Sequence, residues 1–485
     1  MMKLHRLFSA ATALLALCPA LSPAEQAPAK KPNILFIFAD DLTWEGVHTL
    51  SGLDIDTPTL DRLVEGGTTF THAYNSGAWT GAVCVSSRTM LNTGLQLWDA
   101  HRAVKKLRKE YVPQDRLWAQ QLAKAGYTTC FAGKWHVNCD PMKVFQHVRH
   151  VRPGMPKTVP QAYNRPIEGK PDPWDPTDKS LGGFWAGGKH WSEVMVDDFG
   201  ELLGEVKKTP QKPWFMYLAF NATHDPRQSP KEFLDRYPLS RIAIPDDYQP
   251  LYPYREAMGA GERLRDERLA PFPRTPFAIK THRREYFSLM THMDVQIGRI
   301  LEMLEKSGQA DNTIIFFTAD HGLACGHHGL MGKQNQYDDS VRVPLMVVGP
   351  GIPKGKKTDA PVYLQDIMPT SLEIAGAPVT KEVAFRSVMP HIRGKAHPRK
   401  AIYGAYLGLQ RMVTKNGKKL ILYPKSKTIL LFDLQKDPHE KQNLMGQPGS
   451  LETARKLFAT LQKLQKKYHD NLDLTKTYPK LAAKK

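Results

Sequence analysis

The chain has 485 residues, 41% hydrophobic and 24% charged, the balance of a globular protein with room for one large domain and a smaller one. Five cysteines are too few for a disulfide scaffold. The formal charge of +19 attracts polyanions, yet no nucleic-acid motif accompanies it, and much of the excess lies in the tail Lys456–Lys485.

Met1–Ala24 carries Lys3, His5 and Arg6, the apolar run Ala10–Leu17, and then Ser22-Pro23-Ala24, the layout of a secretory signal peptide cleaved after Ala24. The apolar run is too short for a bilayer span, and Leu17 is too large for the position before a lipidated Cys18. The expectation is an exported, soluble protein, periplasmic or extracellular, with no stable membrane insertion. Losing Lys3 and Arg6 with the leader takes the charge to +17. A solvated surface accounts for half of that charge, and polyanionic partners account for the rest.

Asn33–Ala39 reads as a strand buried on both faces, ending in Asp40-Asp41. Two adjacent carboxylates at a buried strand end repel each other without a cation. Pro58–Gly67 reads as a helix with Pro in its first turn and Gly at its end. In Gly81–Gly94 a short helical pattern has Ser86 and Ser87 as its N-terminal residues, which sets Cys84 where free backbone N–H groups favour a negative centre, and Arg88 follows one turn after Cys84. Asp115–Ala125 is an amphipathic helix that leads into Gly126–His136, a strand delivering Lys134 and His136 to one side.

Pro141–His190 is rich in Pro, Gly and Trp and has little periodicity. Its end, Lys189, His190 and Trp191, suits either a sugar-binding cleft or loop packing. Val194–Leu203 is helical, and Trp214–Phe220 is a buried strand running on to His224. Arg255–Arg284, dense in charge and Pro, is expected to be an exposed insertion before a long helix over Arg284–Ser307. Thr313–Ala319 is a further buried strand, ending in Asp320-His321, with Lys333 beyond it. Val343–Val348 is a fifth strand and Asp366–Gly376 a helix. Short strands are expected over Tyr403–Val413, Lys418–Tyr423 and Ile429–Leu434, followed by a helix with Ala454, Leu457, Phe458, Leu461, Leu464 and Tyr468 on one face. Cys130, Cys139 and Cys325 cannot all pair, and a Cys130–Cys139 bridge stays open.

Cys84-Val85-Ser86-Ser87-Arg88 with Leu91-Asn92-Thr93-Gly94 resembles the type I sulfatases, in which Cys-x-Pro-x-Arg marks a cysteine that is oxidised to formylglycine. Gly126–His136 is similar to the second signature of that family, and the resemblance runs from Lys31 to Leu444. One position departs: Ser86 stands where the family has Pro or Ala.

The resemblance implies an alkaline-phosphatase-like α/β fold. Its large, mainly parallel central sheet is flanked by helices, and a small C-terminal antiparallel sheet carries one more helix. The corresponding division is a signal peptide over 1–24, a catalytic domain over 31–380 and a small C-terminal domain with a basic tail over 381–485. It also implies a metal site of Asp40, Asp41, Asp320, His321 and the formylglycine derived from Cys84. Hard oxygen donors suit Ca²⁺, and the imidazole also admits Mg²⁺ or Mn²⁺.

By the same resemblance, a hydroxyl of the hydrated aldehyde, held by the metal and Arg88, attacks sulfur. Lys134, His224 and Lys333 bind the sulfuryl group, His224 or Lys333 protonates the leaving alcohol, and His136 assists deprotonation of the covalent intermediate. A formylglycine-generating enzyme is the implied maturation partner. The activity so implied is removal of sulfate from a sulfated carbohydrate or polysaccharide. The alternatives are a phosphodiesterase or phosphonate monoester hydrolase of the same superfamily, or a non-catalytic binder of sulfated glycan if Cys84 stays a thiol.

Overall fold

A computed structural model describes residues 31–395 and 399–483; the expected Met1–Ala24 leader and the last two lysines of the tail lie outside them. Pro32 onward forms one compact unit containing two sheets. The strands of the large sheet are β1 (Asn33–Ala39), β2 (Gly67–Tyr74), β4 (Thr128–Lys134), β5 (His147–Arg152), β6 (Trp214–Ala219), β7 (Thr313–Ala319), β8 (Arg342–Val348), β9 (Lys356–Thr358) and β10 (Val362–Tyr363). Their order is β10-β2-β8-β7-β1-β6-β4-β5, with β9 also on β2. Only the pairings of β8 with β7 and β2 are antiparallel.

β1 lies at the middle because its side chains on both faces are apolar: every residue of Asn-Ile-Leu-Phe-Ile-Phe-Ala is buried. Helices cover the sheet, among them Pro58–Gly66, Trp118–Lys124, Trp191–Lys207 and the 31-residue Pro276–Lys306. That last helix starts with Thr275 Oγ1 accepting the Ala278 N–H at 3.1 Å and Pro276 in its first turn. It begins eight residues before the start expected from sequence. Its buried face carries Met290, Met293, Ile297 and Ile300 into the core.

The small sheet runs β14-β13-β12-β11-β3. It holds β3 (Gly77–Ala78), β11 (Ile402–Tyr406), β12 (Gln410–Lys415), β13 (Lys418–Tyr423) and β14 (Thr428–Asp433). The single strand expected over Tyr403–Val413 is two strands of a hairpin, since Leu407 turns the chain at φ 46°. The Ser450–Lys467 helix buries Ala454, Leu457, Phe458 and Leu461 in the core of the small sheet. The β3 dipeptide, which lies before Cys84 in sequence, adds a parallel edge to β11.

Other expectations shift. His147–Arg152 is a strand within the stretch expected to be irregular. Cys84, Cys130, Cys139 and Cys325 are free thiols, so no Cys130–Cys139 bridge forms. The Arg255–Arg284 stretch is no exposed insertion: Asp266, Glu267, Arg274 and Arg283 are all buried. Its charges leave water because they satisfy one another and nearby backbone, with Arg274 Nη2 donating to Glu267 Oε2 at 2.6 Å.

Register assembles the site. Ala39 of β1 sits opposite Ala319 of β7, Phe38 opposite Ala219 of β6, and Ala219 opposite Gly133 of β4. Strands in parallel register end level with one another, so residues far apart in sequence leave the sheet at one edge.

Candidate active site

Asp40 and Asp41 leave the end of β1 fully buried. Asp41 holds φ 59°, a left-handed turn, and its carbonyl accepts hydrogen bonds from Tyr286 of the long helix and from Thr223 Oγ1 at 3.1 Å. Cys84 is the second residue of the Val83–Thr93 helix. Ala82 gives that helix no side-chain cap, its carbonyl accepts the Val85 N–H at 3.1 Å, and Gly94 ends the helix at φ 72°. Cys84 Sγ lies 3.3 Å from His321 Nε2 and 3.7 Å from Lys333 Nζ. Burial by itself would raise this thiol, but Lys134, Lys333 and His321 outweigh it and hold the thiol well below its usual range.

Arg88, one turn further, donates from Nε to Asp320 Oδ2 at 2.9 Å and from Nη1 to the Lys134 carbonyl at 2.7 Å. Its Nη2 stands 3.8 Å from Asp40 Oδ1, and neither atom has a hydrogen-bond partner among the described residues. Lys134 at the end of β4 pairs with the other oxygen of Asp40. Burial, then Asp320 and Cys84, push Asp40 well above the ordinary carboxylate range despite Lys134.

Lys333 donates to both oxygens of Asp41 at 2.8 Å and lies 2.9 Å from His224 Nε2. His321 Nε2 lies 3.3 Å from Asp41 Oδ1 and 3.4 Å from Asp320 Oδ1. Burial disfavours a charged His321, but Asp320 and Asp41 outweigh it and hold it up at about 9. His224 behaves alike: against burial and Lys333, Asp41 and Asp225 hold it up at about 10. His136 is half-buried at φ 52°, and burial lowers its imidazole. Its ring rests on Gly154, where any Cβ would come within 2.3 Å of it, so only glycine fits there.

The residues expected from sequence thus converge: Asp40, Asp41, Cys84, Arg88, Lys134, His136, His224, Asp320, His321 and Lys333 share one region. One donor atom each from Asp40, Asp41, Cys84 and His321 lies within 4.8 Å of the others, a possible acidic metal site. Cys84, His136, His224 and Lys333 line a cleft of about 440 Å³. A wider hollow of about 550 Å³, lined by Tyr111, Arg116, Lys124 and Glu382, carries none of these groups. Lys189, His190 and Trp191 do not line the cleft: His190 is fully buried and stacks on Phe184 at 5.0 Å, so loop packing accounts for it.

Sequence reasoning missed the supports. Asp225 Oδ1 lies 3.2 Å from His224 Nδ1. Glu267 accepts the Met331 N–H at 3.1 Å and the Gly332 N–H at 2.9 Å, fixing the backbone that carries Lys333. Arg265, Asp266 and Gln334 complete the cleft wall. The mixed charges of Arg263–Arg268 were the available signal, but mixed charge usually marks a solvated surface.

The sulfatase family profile matches residues 32–377. The chain belongs to the sulfatase family. Hydrolysis of sulfuric esters is therefore its class of activity. A second profile, N-sulphoglucosamine sulphohydrolase C-terminal, matches residues 326–467. A sulfatase of Formosa agariphila is 29% identical over 71% of this chain and 69% of its own length. An N-acetylglucosamine-6-O-sulfatase of Bacteroides thetaiotaomicron is 26% identical, covering 95% of this chain and 90% of its own. Among solved structures, a protein in complex with its substrate D-glucosamine-2-N,6-O-disulfate superposes with TM-score 0.70 at 22% identity, over 91% of this chain and 99% of the other. The phosphonate monoester hydrolase of Silicibacter pomeroyi superposes with TM-score 0.71, also at 22%, over 91% and 96%. At such identities both likenesses speak to fold alone. The fold is accordingly the sulfatase α/β fold, a mostly parallel large sheet with a separate small antiparallel one. No helix among the described residues is long and apolar enough to cross a membrane.

Proposed function

We propose that this sulfatase is exported, that Cys84 is converted to formylglycine by a modifying enzyme, and that it removes sulfate from a sulfated sugar or polysaccharide with a divalent cation, Ca²⁺ foremost. The observation that carries the reading is the buried cluster of Asp40, Asp41, Cys84 and His321, with one donor atom from each within 4.8 Å of the others and Asp320 beside His321. Three buried carboxylates brought together are costly without a cation, and Asp40 Oδ1 among them has no hydrogen-bond partner among the described residues. The donor set fits a cation: Asp40, Asp41 and Asp320 supply hard oxygens, and His321 and residue 84 stand in the same cluster. When bound, such a cation would supply Lewis-acid polarisation and charge neutralisation. It would also take over from the proton that Asp320 and Asp41 now hold on His321.

The chain's own groups have separable tasks. Lys134 and Lys333 offset charge on the sulfuryl oxygens, and Arg88 orients residue 84 and balances Asp320. His224, through Nε2, or Lys333, through Nζ, donates a proton to the leaving alcohol oxygen. His136 carries a free Nδ1 in the cleft wall, suited to accepting a proton from the hydroxyl of residue 84. The N-acetylglucosamine-6-O-sulfatase to which the chain is similar supports a carbohydrate substrate.

Mass spectrometry of the Cys84 peptide from the native host, with desulfation assays across a panel of sulfated glycans, tests the reading. Aldehyde at residue 84 and turnover of at least one glycan are expected. A native protein carrying only the thiol would overturn catalysis in favour of glycan binding.

A further inference from the structure

Arg265 stands on the cleft wall opposite the catalytic helix and takes no part in the reaction outlined above. Its guanidinium ion-pairs with Asp225 and with Asp266. Both aspartates are almost wholly buried, whereas the Arg265 side chain keeps 33% of its surface exposed. Asp266 is itself anchored, accepting from Gln334 Nε2 at 2.8 Å, and Asp225 is anchored on His224. A long flexible side chain is thereby fixed in one place, on the wall of the cleft that holds Cys84, His224 and Lys333, with a third of its surface left open. Such a held fork costs little further ordering when it meets a ligand.

The pairing of Arg265 decides what ligand. The guanidinium is already engaged by Asp225 and Asp266, so a second anionic group placed against Arg265 would meet both aspartates as well. A neutral hydroxyl gains the same donors without that repulsion. We propose that Arg265 is a specificity-determining residue that donates to a free hydroxyl on the sugar beside the scissile ester, so that this neighbouring position is unsulfated in the preferred substrate. The inference rests on the carbohydrate reading of the site. It also separates two scales: the chain's positive net charge, formally +19, draws in a polyanion, while this wall selects against a second anion next to the reacting one.

The test compares wild type, Arg265→Lys and Arg265→Ala on three substrates. These are a monosulfated sugar, the same sugar sulfated also at the adjacent position, and 4-nitrophenyl sulfate, which has no hydroxyl to read. Wild type should prefer the first sugar over the second. Both variants should lose about tenfold or more in kcat/KM on the first sugar, chiefly through KM, because a site built around a substrate hydroxyl depends on that bond. Turnover of 4-nitrophenyl sulfate by Arg265→Lys should stay within about twofold, because a cation remains between the carboxylates and Asp225 stays paired, and this also reports intact folding. Parallel loss on all substrates in Arg265→Lys would overturn the proposal and make Arg265 a support for Asp225 and His224. A wild-type preference for the disulfated sugar would overturn the hydroxyl assignment. Wild-type failure on every sulfated sugar would overturn the carbohydrate reading and this inference together, whereas sugar turnover untouched by either variant overturns Arg265 alone.

Discussion

Arg88 and Arg411 are both buried arginines paired with buried aspartates, and they are built differently. Arg411 on β12 meets Asp470 through two parallel bonds of 2.7 and 2.8 Å, and its Nη1 donates to the Leu407 and Gln410 carbonyls at 2.7 Å. Asp470 also accepts from Tyr403 at 2.9 Å and Gln465 at 2.7 Å. Its oxygens are saturated, and the pair ties the chain after the Ser450–Lys467 helix to the small sheet. Arg88 has one carboxylate bond and one carbonyl bond, and its Nη2 stands 3.8 Å from Asp40 Oδ1 with neither atom hydrogen-bonded among the described residues. Closed networks hold a fold together, whereas open ones at a sheet edge are arranged for something that arrives later.

Replacing each arginine breaks or sharpens that contrast. Arg88→Met should cut turnover about 100-fold or more in the folded fraction, besides the stability lost when Asp320 is left buried without its guanidinium. Arg411→Met should cost stability alone, about 3–5 kcal/mol, because Asp470 is left buried and uncompensated, with normal specific activity in the folded fraction. Equal activity losses in the two variants would erase the distinction.

Chelation comes next. A metal-free preparation should lose turnover, recover it with Ca²⁺, and unfold more easily by about 3 kcal/mol relative to protein with cation at 100-fold above its Kd. Asp40→Asn should not destabilise the chelated protein, because burial already disfavours that carboxylate charge. Full activity without metal would show that the open carboxylates await something else.

A third charged cluster lies close in sequence to Asp41 yet resembles Arg411 in its closure. His327 Nε2 lies 2.9 Å from Glu45 Oε2, and its Nδ1 lies 2.9 Å from Asp247 Oδ2. Burial would raise Glu45, but His327 outweighs it and brings the carboxyl down from 4.5 to about 2. A depressed folded value means stability fully present above pH 4.5 and lost as pH falls towards 2, up to about 3 kcal/mol. His327 has the opposite sign, stabilising below its unfolded value of 6.5 and losing this as pH rises through its raised folded one. Glu45→Gln should flatten the acid limb of a denaturation-versus-pH series. An unchanged acid limb would remove Glu45 from the account.

The smallest effect concerns Ser86, where the signature departs. Its Oγ accepts the Trp79 N–H at 3.3 Å, a bond no proline could make. Ser86→Pro should therefore cost about 1 kcal/mol in thermal stability. In a foreign host the same change should raise the aldehyde fraction at residue 84, read by mass spectrometry, because Pro restricts the unfolded segment to fewer shapes. A lower aldehyde fraction would contradict this.

The sequence by itself determined the central strands and the convergence of chemistry at their ends. Apolar runs such as Asn33–Ala39 and Thr313–Ala319 are legible because both faces are buried, and parallel strands deliver their trailing residues to one edge. The motif around Cys84 carried the family, and the ten expected residues meet there. Only the tertiary structure decided the surroundings. Gly67–Tyr74, with Thr and His within it, gives no clear alternation, and its strand exists through pairing with β8. Arg263–Arg274 reads as a solvated surface until Glu267, Arg274 and the backbone before Lys333 are seen to satisfy one another. The physical reason is that burial of a charge depends on partners brought from elsewhere in the chain, and a local pattern cannot name a partner some 40 or 60 residues away, as Asp225 is for Arg265 and Glu267 for Gly332.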